Sequence, residues 1–414
     1  MKKFVGIVVG GGPAPGINGV ISSATIEAEN EGRKVLGIKG GFKTLFNGDK
    51  SSIIKMTIDD VSRIHSRGGS LLKTSRDYPK KLEESFSTLM KTLRSMDITS
   101  LITIGGDGTA YMARWIEREA DGEISVVHVP KTIDNDIPLP GGMPTFGYET
   151  ARHIGVELVH NIMEDARTTG RWYFVNTMGR NAGHLALGIG KAAGATITLI
   201  PEEFPDTKIS CTRVADVLEG AVIKRLSMGK NYGVAILAEG ISGRFDLDEL
   251  SKYEEIRSDE SGRIRFSEIQ LARMMKKFVT ESLSKRGIEQ TIVSKTIGYE
   301  LRSADPIPYD IEYTRNLGYG AIRYLLKGGS GAMIVFYEGR LTTVPFTEME
   351  DMDTGKTRVR LVDINSEGYD VAKEYMIRLK AGDLADSSTL KKLARAGNLE
   401  MTEFKERFSC VACD

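Results

Sequence analysis

One short stretch of the chain constrains the fold more than any other. An apolar run at residues 100–104 predicts a buried strand that leads into residues 105–109, Gly-Gly-Asp-Gly-Thr. A second apolar run at 124–129 leads into residues 130–136, Pro-Lys-Thr-Ile-Asp-Asn-Asp, and residues 110–120 supply one helix between the two. Because a strand–helix–strand unit makes a parallel pair, we expect both loops at one edge of a parallel sheet, where α/β proteins bind ligands.

The alternation of strand and helix patterns continues along the chain and restarts after residue 147. With 414 residues, the chain also exceeds the size at which single hydrophobic cores stop growing. We therefore predict an α/β fold with two doubly wound, Rossmann-like parallel-sheet domains. The segment beyond residue 360 is predicted to be helical and peripheral.

The charge balance argues against nucleic-acid and membrane partners. Lys and Arg total 56 and Asp and Glu total 56, so no basic field exists to hold a polyanion. No apolar run has the length of a membrane span, and the first residues lead into a strand pattern rather than a signal peptide.

Three cysteines fit a reducing cytoplasm, which is the predicted location. Cys410 and Cys413 form a CxxC pair, which is a weak signal for a zinc or redox site without a second pair or a nearby histidine.

The two loops carry groups suited to phosphoryl transfer. Glycine amides and Asp107 in the first loop can approach a phosphate and its magnesium, while Lys131 can hold the transferred phosphate as a point charge. In the second loop, one of Asp134 and Asp136 can take the proton of a hydroxyl while another carboxylate anchors the metal or its waters. A single loop aspartate is more often solvated or caps a helix, but two beside a lysine favour a functional site. The set predicts a phosphotransferase.

Further polar groups follow other predicted strands. Residues 10–16, Gly-Gly-Gly-Pro-Ala-Pro-Gly, open a helix, so backbone N–H groups and the helix dipole can hold an oxyanion there. The pattern is not the dinucleotide fingerprint, and the chain contains no Walker A loop. Arg180 follows the strand at 171–177 and can neutralise a transferring phosphoryl group. Arg171 lies at the other end of that strand, about 20 Å away, so it is either a surface residue or is donated across a subunit interface.

Three more candidate ligands lie at strand ends. Glu239, Tyr299 and Arg302 follow two later apolar runs. A carboxylate and an arginine at such positions suit sugar hydroxyls and a stable phosphate. Taken singly, each is better explained by an ordinary ion pair.

Seven separate motifs in this sequence are similar to those of the phosphofructokinases. They occur in the same order and cover roughly residues 4 to 340, and they lie at 10–18, 68–76, 105–109, 130–136, 178–180, 239 and 298–302. The chain thus resembles the phosphofructokinase family. It looks most like the branch that includes many pyrophosphate-dependent enzymes and the ATP-dependent trypanosomal type.

This resemblance implies a function and a domain plan. The expected reaction is Mg²⁺-dependent transfer of a phosphoryl group from ATP to the C1 hydroxyl of fructose 6-phosphate, giving fructose 1,6-bisphosphate in glycolysis. Residues 1–148 with about 301–355 would bind the phosphoryl donor. Residues 149–300 with about 356–414 would bind fructose 6-phosphate, with the active site in the cleft between the two domains.

The resemblance also implies a role for each matching residue. Asp134 would be the general base, and the full catalytic set would be Asp134, Thr132, Arg180 and Lys131. The donor would be bound by Gly12, Phe42, Arg76, Gly106, Asp107, Gly108, Thr109 and Lys131, with Asp107 holding Mg²⁺. Fructose 6-phosphate would be bound by Thr132, Asp134, Asp136, Arg171, Met178, Gly179, Arg180, Glu239, Tyr299 and Arg302. Arg171 would come from the neighbouring subunit of a homodimer or homotetramer.

The two sequence positions that bear on the identity of the donor show a mixed pattern. Pyrophosphate-dependent members usually carry aspartate at position 108 and lysine at 131, whereas this chain combines Gly108 with Lys131. A carboxylate at position 108 would repel the α-phosphate of ATP, and glycine leaves that space open. The resemblance also implies that Phe42, at the position where the simple bacterial enzymes have an aromatic near the adenine, could stack on a base. We therefore expect ATP as the donor, with pyrophosphate as the alternative.

Two more distant alternatives share only part of the pattern. An NAD or lipid kinase also carries Gly-Gly-Asp-Gly-Thr after a strand, but it would not explain residues 130–136, 178–180 or 298–302. A non-catalytic sugar-phosphate sensor would keep the pockets but should lose the base, and Asp134 is present.

Overall fold

A computed structural model of the chain describes residues 4–75, 82–205, 208–257, 264, 268–351 and 357–412. Within these residues the chain divides into two compact units. The first unit comprises the described residues of 4–151 and 299–360, and the second those of 152–298 and 361–412. The chain therefore leaves the first unit after residue 151 and returns to it at Tyr299.

The strands and helices of the described residues follow one another in the predicted alternation. The strands are β1 (Phe4–Val9), β2 (Lys34–Ile38), β3 (Ile53–Met56), β4 (Ile98–Gly105), β5 (Ser125–Pro130), β6 (Trp172–Thr177), β7 (Ile197–Leu199), β8 (Gly233–Ala238), β9 (Ile292–Ile297), β10 (Ala332–Tyr337) and β11 (Arg340–Pro345). The helices are α1 (Ile17–Asn30), α2 (Phe42–Phe46), α3 (Ile58–Val61), α4 (Leu82–Ser95), α5 (Asp107–Ala120), α6 (Tyr148–Thr169), α7 (His184–Ala193), α8 (Cys211–Ser227), α9 (Leu247–Leu250), α10 (Leu271–Ser284), α11 (Tyr299–Ser303), α12 (Pro308–Leu326), α13 (Glu367–Glu374), α14 (Ala381–Ala385), α15 (Ser387–Ala396) and α16 (Met401–Phe408).

The sheet of the first unit has the order β11-β10-β5-β4-β1-β2-β3 among the described residues. The five central strands are parallel, while β3 and β11 pair antiparallel at the two edges. Side chains of β1 alternate between two cores. Val5, Ile7 and Val9 pack with α1 and α12, and Val8 packs on the other face with α2, α4 and α5. Helices cover both faces, as in a doubly wound fold.

The second unit contains a smaller sheet with the order β7-β8-β6-β9, and its pairs are parallel. Residues of α8, α10, α15 and α16 form one continuous core against this sheet. The predicted fold, with two Rossmann-like parallel-sheet domains, is confirmed. The expectation that the C-terminal segment is peripheral is wrong, because Phe404 and Phe408 are fully buried in this core.

Two further findings on the described residues concern membrane-spanning helices and preformed metal sites. No described helix is both long enough and apolar enough to span a bilayer. In the same part of the chain, no three or more His, Cys, Asp or Glu side chains are grouped as a preformed metal site. Cys410 is exposed, and its predicted partner Cys413 lies outside the described residues.

Candidate active site

The predicted phosphate loops of the first unit lie side by side. Strands β1, β4 and β5 are adjacent and parallel, with Ile104 paired to Val9 on one side and Gly105 paired to Pro130 on the other. The loops that follow these strands therefore leave the same edge of the sheet. The chain order reverses at β1, whose neighbours are β2 and β4. Ligands of open α/β sheets bind at such a reversal, outside the carboxyl ends of the strands.

Thr109 joins two of these loops by packing. A Cβ atom on Gly10 would lie 2.3 Å from the Thr109 Oγ1 atom, and one on Gly105 would lie 2.2 Å from it. Thr109 is 1% exposed. Its side chain fills the space that two glycines leave open, and the donor-binding role of Thr109 stays a prediction that would fall to its backbone.

This packing gives a stability prediction. Gly10→Ala should lower the free energy of unfolding by about 1–3 kcal/mol, the usual cost of overpacking. Thr109→Ala in the same chain should restore part of the loss, because the added methyl group would then lie 3.3 Å from the Thr109 Cβ atom. Denaturant unfolding of both variants measures the effect. Gly382→Ala is the matched control, since no atom lies within 4 Å of its added Cβ. Equal stability of Gly10→Ala and the control would contradict the packing argument.

Lys131 connects the loop after β5 to the loop after β1. It is only 5% exposed, and its Nζ atom donates to the Gly12 carbonyl at 2.6 Å, while its backbone N–H donates to the Gly105 carbonyl at 2.8 Å. Thr74 supports the same turn by donating from Oγ1 to the Gly11 carbonyl at 2.7 Å. A buried ammonium is thereby fixed beside the backbone of the predicted phosphate loop, where it favours an anion.

The loop that carries the predicted base has a defined backbone. The Asp134 N–H donates to Thr132 Oγ1 at 3.0 Å, and Asn135 has a positive φ of 57°. Asn135 is 7% exposed, and its Oδ1 atom accepts the Thr145 N–H at 3.0 Å. Asparagine is one of the few residues that adopt this left-handed conformation readily. The buried Asn135 places its half-buried neighbours Asp134 and Asp136 at the strand end.

A buried histidine beneath this loop is not a candidate base. His128 of β5 is fully buried, and its Nδ1 atom lies 2.9 Å from Thr103 Oγ1. Burial lowers the pKa of His128 to about 3, with a smaller contribution from the Lys131 cation. The imidazole therefore stays neutral, and the carboxylates remain the proton acceptors available at this edge.

The start of α5 presents groups suited to phosphate and magnesium. Asp107 is the first residue of the helix and is exposed, and Gly106 and Gly108 flank it with partly accessible backbones. The first N–H groups of a helix lack intrahelical partners and attract anions. Magnesium at phosphoryl-transfer sites is usually held by one or two carboxylates together with substrate phosphates. Asp107 fits this requirement without a preformed cluster of ligands.

The second unit gathers four of the predicted sugar-phosphate residues at the carboxyl ends of its strands, namely Met178, Gly179, Arg180 and Glu239. Gly179 follows β6 with a φ of 134°, and its carbonyl accepts the Gly240 N–H at 3.1 Å. A Cβ atom on Gly298, after β9, would lie 2.7 Å from Met178 Cγ. Loops after β6, β8 and β9 are therefore in contact. Beside them lie the half-buried Arg180 and the 7% exposed Glu239, which begins the 3₁₀ helix Glu239–Arg244.

One buried carboxylate at this edge could not be identified from the sequence. Glu202 is 8% exposed, and its Oε1 atom accepts the N–H groups of Gly183 and Val362, each at 2.9 Å. Burial raises the pKa of Glu202. It accepts the N–H of Gly183, the residue before α7, three residues after Arg180. The partner Val362 is 160 residues away in sequence, so no local signal points to this role.

Of four further predicted site residues, one lies at another strand end, one in the core, one on the exposed surface of α11 and one outside the described part. Arg171 precedes β6 and Met178 follows it, so the two residues lie at opposite ends of this strand. Phe42 is 2% exposed in the core of the first unit, so the structure contradicts its predicted stacking on a base. Tyr299 is 58% exposed in α11 and lies against Arg302, with 4.6 Å between the guanidinium carbon and the ring centre. Arg76 lies outside the described residues.

The fold and these loops define an α/β protein with phosphate-suited loops at the carboxyl ends of its parallel strands. The family description "Phosphofructokinase" matches residues 4–325. The chain belongs to the phosphofructokinase family. The predicted family resemblance is thereby confirmed, including the branch with pyrophosphate-dependent enzymes.

Two full-length relatives carry the same name. The pyrophosphate–fructose 6-phosphate 1-phosphotransferase of Thermotoga maritima is 53% identical over 413 residues, 99% of this chain and 98% of that protein. The protein of that name from Naegleria fowleri is 47% identical over 98% of this chain and 94% of its own. The crystal structure of the pyrophosphate-dependent phosphofructokinase from Nitrosospira multiformis is 16% identical, with a TM-score of 0.68 over 90% of each chain, and shows the common fold.

These relatives overturn the expectation that ATP is the favoured donor. An ATP-dependent 6-phosphofructokinase from Aquifex aeolicus is 38% identical over only 63% of this chain and 78% of its own. The reasoning from Gly108 was wrong because an open position removes a clash with a nucleotide without attracting one. The buried Phe42 also removes the aromatic face expected for adenine.

Proposed function

We propose that this protein transfers a phosphoryl group from pyrophosphate to the C1 hydroxyl of fructose 6-phosphate, giving fructose 1,6-bisphosphate and orthophosphate. The full-length identity of 53% to a protein named for this reaction carries the proposal. The loops at the strand ends of the first unit support it, because they combine backbone donors, a buried cation and carboxylates.

Each group then has a chemical task. Asp134 takes the proton of the C1 hydroxyl as the oxygen attacks the terminal phosphorus of pyrophosphate. Lys131 and Arg180 neutralise the transferring phosphoryl group, and backbone N–H groups around Gly12, Gly106 and Gly108 hold the pyrophosphate. Thr132 fixes the base by accepting the Asp134 N–H. Asp107, with support from Asp136, would hold Mg²⁺, which neutralises charge on the pyrophosphate oxygens when bound.

Residues that follow β6, β8 and β9 take the sugar phosphate in this proposal. Met178, Gly179 and Glu239 would contact the sugar, and Tyr299 and Arg302 of α11 the 6-phosphate. The described sheet keeps Arg171 at the opposite strand end from Met178. We therefore assign Arg171 to the sugar-phosphate site of a neighbouring copy in a homodimer or homotetramer. A cytoplasmic location is part of the same proposal.

Product analysis tests the reaction directly. Phosphorus NMR of the purified protein with Mg²⁺, pyrophosphate and fructose 6-phosphate should show loss of the pyrophosphate signal. A C1 phosphate ester and orthophosphate should appear in equal amounts. Hydrolysis of pyrophosphate without ester formation, or no reaction, would reject the proposal. Omission of fructose 6-phosphate is the control for simple hydrolysis.

A further inference from the structure

A segment beyond the family match returns to the catalytic edge of the first unit. The match ends at residue 325, and the first unit continues to Arg360. We call the described residues 357–360 the return segment. Thr357 donates from Oγ1 to the Asp107 carbonyl at 3.3 Å, and the Arg360 N–H donates to the Asp136 carbonyl at 2.7 Å. One short segment thus contacts both loops that carry the proposed metal ligand and base.

The Arg360 side chain makes the most extensive of these contacts. Its Nε and Nη2 atoms donate to the Asn135 carbonyl at 3.0 and 2.9 Å, and Nη1 donates to the Met143 carbonyl at 2.8 Å. Nη2 also contacts Asn135 Oδ1. A guanidinium presents its N–H groups in a fixed planar fork, so the side chain holds several acceptors in one geometry.

The held residue lies between the proposed general base and the carboxylate proposed to support the metal site. Asn135 is buried, has positive φ, and separates Asp134 from Asp136. Its carbonyl would lose two charge-assisted donors without Arg360, and buried carbonyls are costly to leave unpaired. Burial lowers the pKa of Arg360, but an arginine remains protonated in proteins. Its charge and its fork are therefore both present throughout the working pH range.

We infer that Arg360 is a positioning residue of the reaction, which holds the 134–136 loop so that the Asp134 carboxylate faces the substrate hydroxyl. The inference rests on the proposed function, in which Asp134 is the general base. Arg360 itself touches neither substrate nor reacting atoms in this account. It acts through the backbone of Asn135.

Kinetics of Arg360→Ala test the inference. Displacement of a catalytic group by about 1 Å can cost about 10²-fold in rate, so we expect kcat to fall by about that factor. KM for pyrophosphate and fructose 6-phosphate should stay near wild-type values, because the loss falls on the transition state. Guanidinium chloride at non-denaturing concentrations should restore part of kcat, since the free ion can occupy the vacated fork site.

Arg358→Ala is the matched control from the same segment. Arg358 is exposed, and its Nε atom donates to the Glu350 carbonyl at 3.0 Å, away from the 134–136 loop. This variant should keep wild-type kcat and gain nothing from guanidinium. If Arg360→Ala does not fold, the kinetics of Arg360→Lys test the inference instead. Its ammonium keeps the charge but cannot reproduce the planar fork, so kcat should fall less than in the alanine variant.

The outcomes separate this inference from the proposed function. An active wild type with unchanged kcat in Arg360→Lys or in folded Arg360→Ala overturns the positioning role, even if the melting temperature falls. A reduced kcat in Arg358→Ala that equals that of Arg360→Ala also overturns it. If wild type and Arg358→Ala both lack pyrophosphate-dependent turnover, the proposed function fails and the inference falls with it.

Discussion

Asp134→Asn should lower kcat with pyrophosphate and fructose 6-phosphate by about 10²–10⁴-fold, the usual contribution of a positioned general base. The amide has nearly the same shape as the carboxylate but cannot accept the hydroxyl proton. The backbone bond from the Asp134 N–H to Thr132 Oγ1 remains available, so the loop should keep its conformation. Steady-state kinetics measure the loss, and calorimetric titration with fructose 6-phosphate should show binding close to that of wild type.

Asp121→Asn provides the matched control for this substitution. Asp121 is exposed at the far end of α5 and has a positive φ of 42°, which asparagine also adopts readily. The control should keep wild-type kcat and stability. An Asp134→Asn variant with kcat within tenfold of wild type would be inconsistent with proton transfer to Asp134 as the central step.

Lys131→Met should lower kcat/KM for pyrophosphate by about 10²–10³-fold, as when one donor to a developing oxyanion is removed. The methionine can fill the buried space, but it carries no charge and cannot donate to the Gly12 carbonyl. Both the charge on the donor phosphates and the support of the loop after β1 are lost. Initial rates at varied pyrophosphate concentration measure the effect, and calorimetry should show retained binding of fructose 6-phosphate.

Lys55→Met makes the same chemical change at an exposed position of the edge strand β3. It should leave kcat/KM for pyrophosphate unchanged. If Lys131→Met matches this control, the buried ammonium has no role in donor binding. A general loss of folding in Lys131→Met would appear as a lower melting temperature together with lost fructose 6-phosphate binding.

The sequence predicted the central sheets because most of their strands are rich in apolar residues, and the loops because polar residues follow those strands directly. It did not predict the antiparallel edges β3 and β11, whose residues are half-exposed and carry weaker patterns. Phe42 was misread because an aromatic side chain after a strand looks the same whether it meets a ligand or packs in the core. The burial of Phe42 depends on packing with α4, which lies about forty residues further along the chain.

Long-range contacts at the candidate site were beyond sequence reasoning. Arg360 meets Asn135 across 225 residues, and Glu202 meets Val362 across 160. Nothing in the local pattern around either residue distinguishes a side chain that holds a catalytic loop from one on the surface. Thr109 is the opposite case, because it lies within a recognised motif and yet its side chain serves packing.

Pyrophosphate, rather than ATP, is the proposed phosphoryl donor. A coupled assay of fructose 1,6-bisphosphate formation by the wild-type protein, with Mg²⁺ and saturating fructose 6-phosphate, measures kcat/KM for each donor in parallel. We expect kcat/KM for pyrophosphate to exceed that for ATP, in line with the full-length relatives and the buried Phe42. A higher kcat/KM for ATP would contradict the proposed pyrophosphate-dependent reaction.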